Sequence, residues 1–425
     1  FAGDEFWWNL EQTEIAEGEL TGLARGLQNS SSPYFNYWDG GRGGRNLFIG
    51  IRDCNIFLEN INKPSDLSDF ERKQWIAEVK FIKAYLHMYL MQLYGPVPII
   101  DVNLPISSKP DEVRLYREPV EKVAEYVIRL LDEAKKDLPI EIMATVTDAG
   151  RPTIPIVLAV KAKLLAWMAS PLFNGNLEYK DMVDNRGIHL FPTEYKKEKW
   201  DLAAKALKNA IDTCHLAGNK LYTYLKVTSM SDSTAQKLTL RNAITERFNP
   251  ELVWASTDDV EHIQRRCFPR FQISDAGSGC AEYCVSLKTV EQFYTNKGIP
   301  MNEDPDYDYV NRFKTQPGDA TNRYYIKQGE TTAKLHFNRE PRFYAWVGFD
   351  RGIFEGAGKT NDKDSWFLQI RKGEMAGFRS NGEHIPSGYY AKKLANYETV
   401  IVGNAQYNSK RYSFPIIRLA DLYLL

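Results

Sequence analysis

Apolar positions in the first half of the chain recur at three- and four-residue intervals, the spacing that gathers side chains on one face of a helix. Trp75, Val79, Ile82, Tyr85, Leu86, Tyr89 and Leu93 form one such series, stopped by Gly95 and Pro96. Pro119 suits a helix first turn, and Val120, Val123, Val127, Leu130, Leu131, Ala134 and Leu138 follow it as a stripe ended by Pro139. These two helices are expected to pair antiparallel. A third, over about 156–168, carries Ala159, Ala162, Ala166 and Ala169, a row of small residues that lets another helix approach closely, with Leu158, Leu165 and Trp167 widening the surface. A fourth from about Trp200 presents Ala203, Leu207, Ala210 and Cys214. Stacked helical hairpins of tetratricopeptide-like kind follow.

Past about residue 240 the period is lost. Short aromatic or β-branched runs alternate with Gly, Pro, Asn and Asp, the texture of loops, short strands and isolated helices, and the natural place for a binding surface. Residues 341–350 (PRFYAWVGFD) have strand-like content, and 386–393 (PSGYYAKK) read as a turn feeding a short strand. Apolar periodicity returns at Ile416, Ile417, Leu419, Ala420 and Leu422, predicting a helix that the sequence cuts off. The expected division is a scaffold over 46–240, a loop-rich ligand-facing region over 241–415 and the start of a truncated helix over 416–425. With Phe at position 1, the sequence is read as most of a longer protein whose leader has been removed.

Charge narrows the function classes. Fifty-four basic against 55 acidic residues give a net charge of −1, with no basic patch, so nucleic acid is not expected as a partner. No apolar run reaches the length of a membrane span. Five cysteines without a CxxC pair argue against a disulfide framework and a structural zinc site, with a Cys280–Cys284 bridge left open. The six histidines show no HExxH spacing and no GxSxG elbow is present, so no metal, cofactor or catalytic residue is assigned. DGGRGGRN at 39–46 lacks the GK[ST] ending of a phosphate loop and reads as a flexible loop. Asp304, Asp306 and Asp308 lack the Gly and Glu of a calcium loop and read as a solvated acidic turn.

Rings are abundant, at 9 Trp, 24 Tyr and 21 Phe, and three groups fall outside helix periodicity. They contain Trp7 and Trp8; Tyr37 and Trp38 with Arg42 and Arg45; and Arg266, Phe268 and Arg270, joined by Tyr283 as the candidate ligand-binding set. Flat rings stack on the apolar faces of sugars while cations and amides bond the hydroxyls.

Five segments, in order, resemble the SusD/RagB family of outer-membrane nutrient-binding lipoproteins. Ala77–Tyr85 running into Leu93-Tyr94-Gly95-Pro96-Val97-Pro98 is similar to the family's helix and YG-x-VP exit. Ile51–Leu58 with its central Asn55, Arg151-Pro152-Thr153, Glu340-Pro341-Arg342-Phe343 and Pro415–Asp421 complete the set. The resemblance implies a mainly α fold, with four tetratricopeptide-like helix pairs under an irregular, loop-rich second layer with a few short strands. It implies a non-enzymatic surface protein that binds an oligosaccharide or polysaccharide and hands it to a SusC-like TonB-dependent transporter. It also implies an N-terminal lipid anchor that the sequence does not contain. The matching segments are scaffold, and where the family often carries Trp near Gly277–Tyr283 this chain has none. Peptide capture within the same family, and a glycosidase on a helical scaffold, are the alternative readings.

Overall fold

The protein was analysed as a computed structural model, which describes residues 5–8, 19–142, 148–271, 283–378, 385–402 and 406–425. The chain divides into two compact units that are interleaved in sequence. One comprises residues 29–220, 250–255 and 416–425; the other, residues 1–28, 221–249 and 256–415.

The first unit is built from helices α1 (Leu47–Asn60), α2 (Asp69–Tyr94), α3 (Val120–Ala134), α4 (Ile154–Ala169) and α5 (Glu198–Leu216), completed by a short helix, Leu419–Leu424. Each start has a local cause. Asn46 accepts from the Phe48 amide at the head of α1, and Ser68 and Glu71 form a reciprocal capping box at the head of α2, satisfying amides that the helix itself leaves open. Gly95, at φ 67°, ends α2 in a backbone region that favours glycine. Successive helices pack on one another, α1 on α2, α2 on α3, α3 on α4 and α4 on α5, and the Leu419–Leu424 helix packs on α5. This is the expected stack of helical hairpins.

The α3 stripe is buried at every position from Val120 to Leu138, and Ala159, Ala162, Ala166 and Ala169 lie against the buried Ala203, Leu207, Ala210 and Cys214 side of the core. The α2 stripe is different. Trp75, Ile82 and Leu93 are exposed, while Ala77, Phe81, Ala84, Met88 and Met91 are buried. Because α2 packs on both α1 and α3, small and unbranched residues are the ones enclosed, and the larger rings lie towards its margin. His87 is fully buried; its Nδ1 meets the Lys83 carbonyl and its Nε2 accepts from the Ile100 amide, so it is a structural residue.

The second unit has few regular elements. α6 (Asp232–Thr245) is capped by Ser231, which accepts from the Thr234 amide, and α7 (Pro341–Trp346) packs on it. Strand β1 (Phe6–Trp8) pairs antiparallel with β2 (Tyr283–Val285), and the short pairs Thr315–Pro317 with Thr331–Ala333 and Ile353–Phe354 with Trp366–Phe367 complete the regular part used below. The strand expected at 341–350 is helical as far as Trp346. Pro341 occupies the first turn, where its missing N–H costs nothing, and Phe343 and Tyr344 are buried. At the other end, 416–418 extend a strand, Ser413–Arg418, and the helix starts at Leu419: Pro415 and the β-branched pair Ile416–Ile417 favour extended chain, and an Arg418–Asp421 capping box sets the start.

Long polar side chains take the place of a continuous sheet in this unit. Buried Arg339 donates to the carbonyls of Leu335, Val290, Phe293 and Tyr294. Arg241 donates to Ala395 and Glu355, Lys392 to Tyr344 and Ile353, and Lys237 to Tyr324. Irregular backbone cannot bond itself, so its buried carbonyls need donors from elsewhere.

Candidate functional site

The ten residues singled out in the sequence fall in both units. In the helical unit, the segment carrying Tyr37 and Trp38 is fastened to the helices. Tyr37 donates its amide to the Tyr94 hydroxyl at 2.9 Å and sets its ring edge-on to Tyr89, with centroids 5.6 Å apart. Trp38 lies edge-on to Phe48 and Tyr94, and the Arg117 guanidinium sits 4.7 Å over its ring. Both rings are half-buried. The glycine-rich loop is a closed turn rather than a loose one: Gly41 and Gly44 bridge each other, and a Cβ on Gly44 would meet the Asn36 backbone at 2.4 Å. Arg42, with φ 43°, lies over Tyr34 and bonds Ser32, while Arg45 is exposed.

In the other unit Trp7 is half-buried, and its carbonyl accepts from the Cys284 thiol. Trp8 contributes its backbone to the pairing with Tyr283. The Arg266 guanidinium reaches the Tyr283 hydroxyl at 3.2 Å. Tyr283 is 7 % exposed, and Phe268, fully buried, packs on Phe354. Arg270 is half-buried at the end of the same segment. Cys280 and the rest of 272–282 lie outside the described residues, as does His384.

The acidic turn is not solvated throughout. Asp304 is buried and accepts from Thr295 and from the Asp306 amide, while Asp306 and Asp308 pair with Lys297 and Lys334. Each carboxylate already has a partner, which explains their spacing without a metal.

The most open concavity with a developed lining is in the second unit and has a volume of about 870 Å³. Three segments form it: the approach to α6 with Ser229 and Ser231, the turn with Arg323, Tyr324, Lys327 and Gln328, and the loop with Asn361, Asp362, Lys363 and Ser365. The first and third are tied together, since the Ser231 amide donates to Asp362 at 2.6 Å and the Asp362 amide to the Ser229 carbonyl. The second rests on buried charge, because Tyr324 gives its carbonyl to Lys237 and Ile353, also in the lining, gives its carbonyl to Lys392. Lys237, Lys392 and Arg241 surround Glu355, and all four are at most 2 % exposed. Burial alone would raise the Glu355 carboxyl, but Lys237, Lys392 and Arg241 hold it down to about 2. Burial lowers Lys392 to about 7 against the pull of Glu355.

This lining offers hydroxyls, amides, cations and one tyrosine ring, which together suit a polyhydroxylated ligand. None of the ten sequence-derived residues lines it. Its residues lie in segments without periodicity, and the one sequence signal they carry is the density of Ser, Thr, Asn, Arg and Lys in turn-rich text.

Comparison with known proteins adds a family. The family described as "SusD family" matches residues 250–425, and one described as "Starch-binding associating with outer membrane" matches residues 24–164. No curated protein sequence matches the chain. Among solved structures, the protein designated BT4246 is 27 % identical with a TM-score of 0.83, over 100 % of this chain and 73 % of its own. A SusD-like protein (BF3747) from Bacteroides fragilis NCTC 9343 is 15 % identical with a TM-score of 0.66, over 100 % of this chain and 69 % of its own. Surface glycan-binding protein A from Bacteroides uniformis is 14 % identical with a TM-score of 0.53, over 99 % and 67 %. The last two show the fold. With both family descriptions falling on their own part of a mainly helical, tetratricopeptide-like architecture, the chain belongs to the SusD/RagB family.

Proposed function

We propose that the protein captures oligosaccharide or polysaccharide at the cell surface and delivers it to a SusC-like TonB-dependent transporter, with no chemistry of its own. The observation that carries this reading is the match of residues 24–164 to a family described as starch-binding and associated with the outer membrane, joined to the SusD match over 250–425. No helix among the described residues is long and apolar enough to cross a membrane, which accords with attachment through a lipid anchor. Surface glycan-binding protein A shares the fold, and its name points the same way.

Two features of the chain support sugar as the ligand. The open groove of the second unit presents Ser229, Ser231, Asn361, Gln328 and Tyr324 to solvent. The half-buried rings of Trp7, Tyr37 and Trp38 remain the candidate stacking platforms, with Trp8, Arg42, Arg45, Arg266, Phe268, Arg270 and Tyr283 as their supporting set.

Isothermal titration and affinity electrophoresis of the intact protein against a glycan panel test the reading. A ring that stacks on sugar loses about tenfold in affinity when Trp7, Trp8 or Trp38 is changed singly to Ala. A thermal melt of each variant separates lost stacking from lost fold. An intact protein that responds to no glycan, and that copurifies with peptides by mass spectrometry, would replace sugar with peptide. Recovery of a TonB-dependent transporter on the tagged full chain tests delivery.

A further inference from the structure

The groove of the second unit has an unbalanced electrostatic design. Arg323, Lys327 and Lys363 line it, and none of the three has a carboxylate partner among the described residues. Arg323 bonds the Ala320 carbonyl and the Tyr324 hydroxyl, and Lys327 lies 5.3 Å from the Phe367 ring. Asp362 is the one acid in the lining, and its oxygen is taken by the Ser231 amide. Beneath the same lining lie Lys237, Arg241 and Lys392 around the single carboxylate of Glu355, and two groove residues, Tyr324 and Ile353, hand their carbonyls to that cluster. The Arg241 Nη2 has no hydrogen-bond partner among the described residues. Three buried cations against one anion leave positive charge that nothing inside the unit cancels, and low-dielectric surroundings screen it weakly. The 14-residue helix α6 begins at Ser231, so the positive end of its dipole is directed to the same place.

We propose that this groove takes an anionic glycan, one bearing carboxylate or sulfate groups along its chain, in preference to a neutral one. The inference rests on the glycan-capture reading above and specifies the ligand's charge. Hydroxyl and amide groups of Ser229, Ser231, Gln328 and Asn361 serve the sugar ring, while Arg323, Lys327 and Lys363 serve the acid groups. A planar guanidinium pairs with carboxylate or sulfate through two parallel bonds, and the two lysines act as point charges along the groove.

The test compares the full chain with a variant carrying Arg323→Gln, Lys327→Gln and Lys363→Gln. These side chains make no ion pair, so the variant keeps the wild-type melting curve. Each is titrated with polygalacturonate, a sulfated galactan, amylopectin and an unsulfated galactan. The expected result is binding of one of the two acidic polymers, weakened by raised salt and reduced at least about tenfold in the variant. The two acidic arms distinguish carboxylate from sulfate. Binding of a neutral polymer with no response to either acidic one overturns this inference and leaves the capture reading intact. Acidic binding unchanged in the variant overturns the assignment to this groove, and an absence of response to all polymers overturns both readings.

Discussion

The two units solve the same problem, the enclosure of backbone polar groups, with different materials. In the helical unit each helix bonds its own backbone, and apolar side chains such as Val127, Leu131, Ala159 and Ala210 need only fill space. In the second unit the backbone turns too often to bond itself, and Arg241, Arg339, Lys237 and Lys392 reach inward to collect its carbonyls. The first design is set by short-range periodicity. The second depends on a few residues that join segments far apart in the sequence: Lys237 and Glu355, for example, are 118 positions apart.

That contrast predicts unequal costs. The largest falls on Glu355→Gln, which leaves three buried cations without their anion; removing one partner of a buried pair costs about 3–5 kcal/mol. Segment-resolved hydrogen exchange should show lost protection in α6 and at 353–357, with the helical unit unaffected. Leu131→Ala, in the helical unit, is the counterpart, at about 3 kcal/mol through transfer and cavity terms, with lost protection in α2, α3 and α4. Uniform loss across both units after either change would break the distinction.

Acid comes next. His87 in the helical unit and His336 in the second are buried and neutral. Burial lowers them to about 4 and about 3, with the Lys83 charge adding to the first and Arg339 to the second. Both folded values lie below the unfolded value near 6.5, so their contribution is complete above that pH. It is lost as pH falls from 6.5 towards 4 in the helical unit and towards 3 in the second. Tm measured between pH 7 and 4 should fall in both units, and His87→Gln should flatten the slope in the helical unit alone. The smallest effect is that of Ser68→Ala, which removes the α2 capping box for about 1 kcal/mol and frays its first turn.

How much of this was legible in sequence follows from the same contrast. The α3, α4 and α5 stripes are visible because periodicity is a local property and these helices bury one main face. Even there α2 was misjudged as to which face is buried, since packing on two neighbours is a tertiary fact. Pro341 was the available sign that 341–346 start a helix, outweighed by the aromatic content that follows. In the candidate site, rings drew attention because they are rare and chemically suggestive, yet Phe268 proved to be enclosed. The groove residues Ser229, Arg323 and Lys363 are ordinary in sequence, and only the meeting of three distant loops makes them a surface.

The interleaving of the units has a consequence for how the chain can be made. The helical unit includes Pro250–Ala255 and Ile416–Leu425, where the Leu419 amide bonds the Glu251 carbonyl, Arg418 pairs with Glu251 and Tyr423 meets His215. A nascent chain with 220 residues out of the ribosome therefore has helices but an open seam along α5. The seam closes only when the last residues of this sequence emerge, after the whole of the second unit has been synthesised.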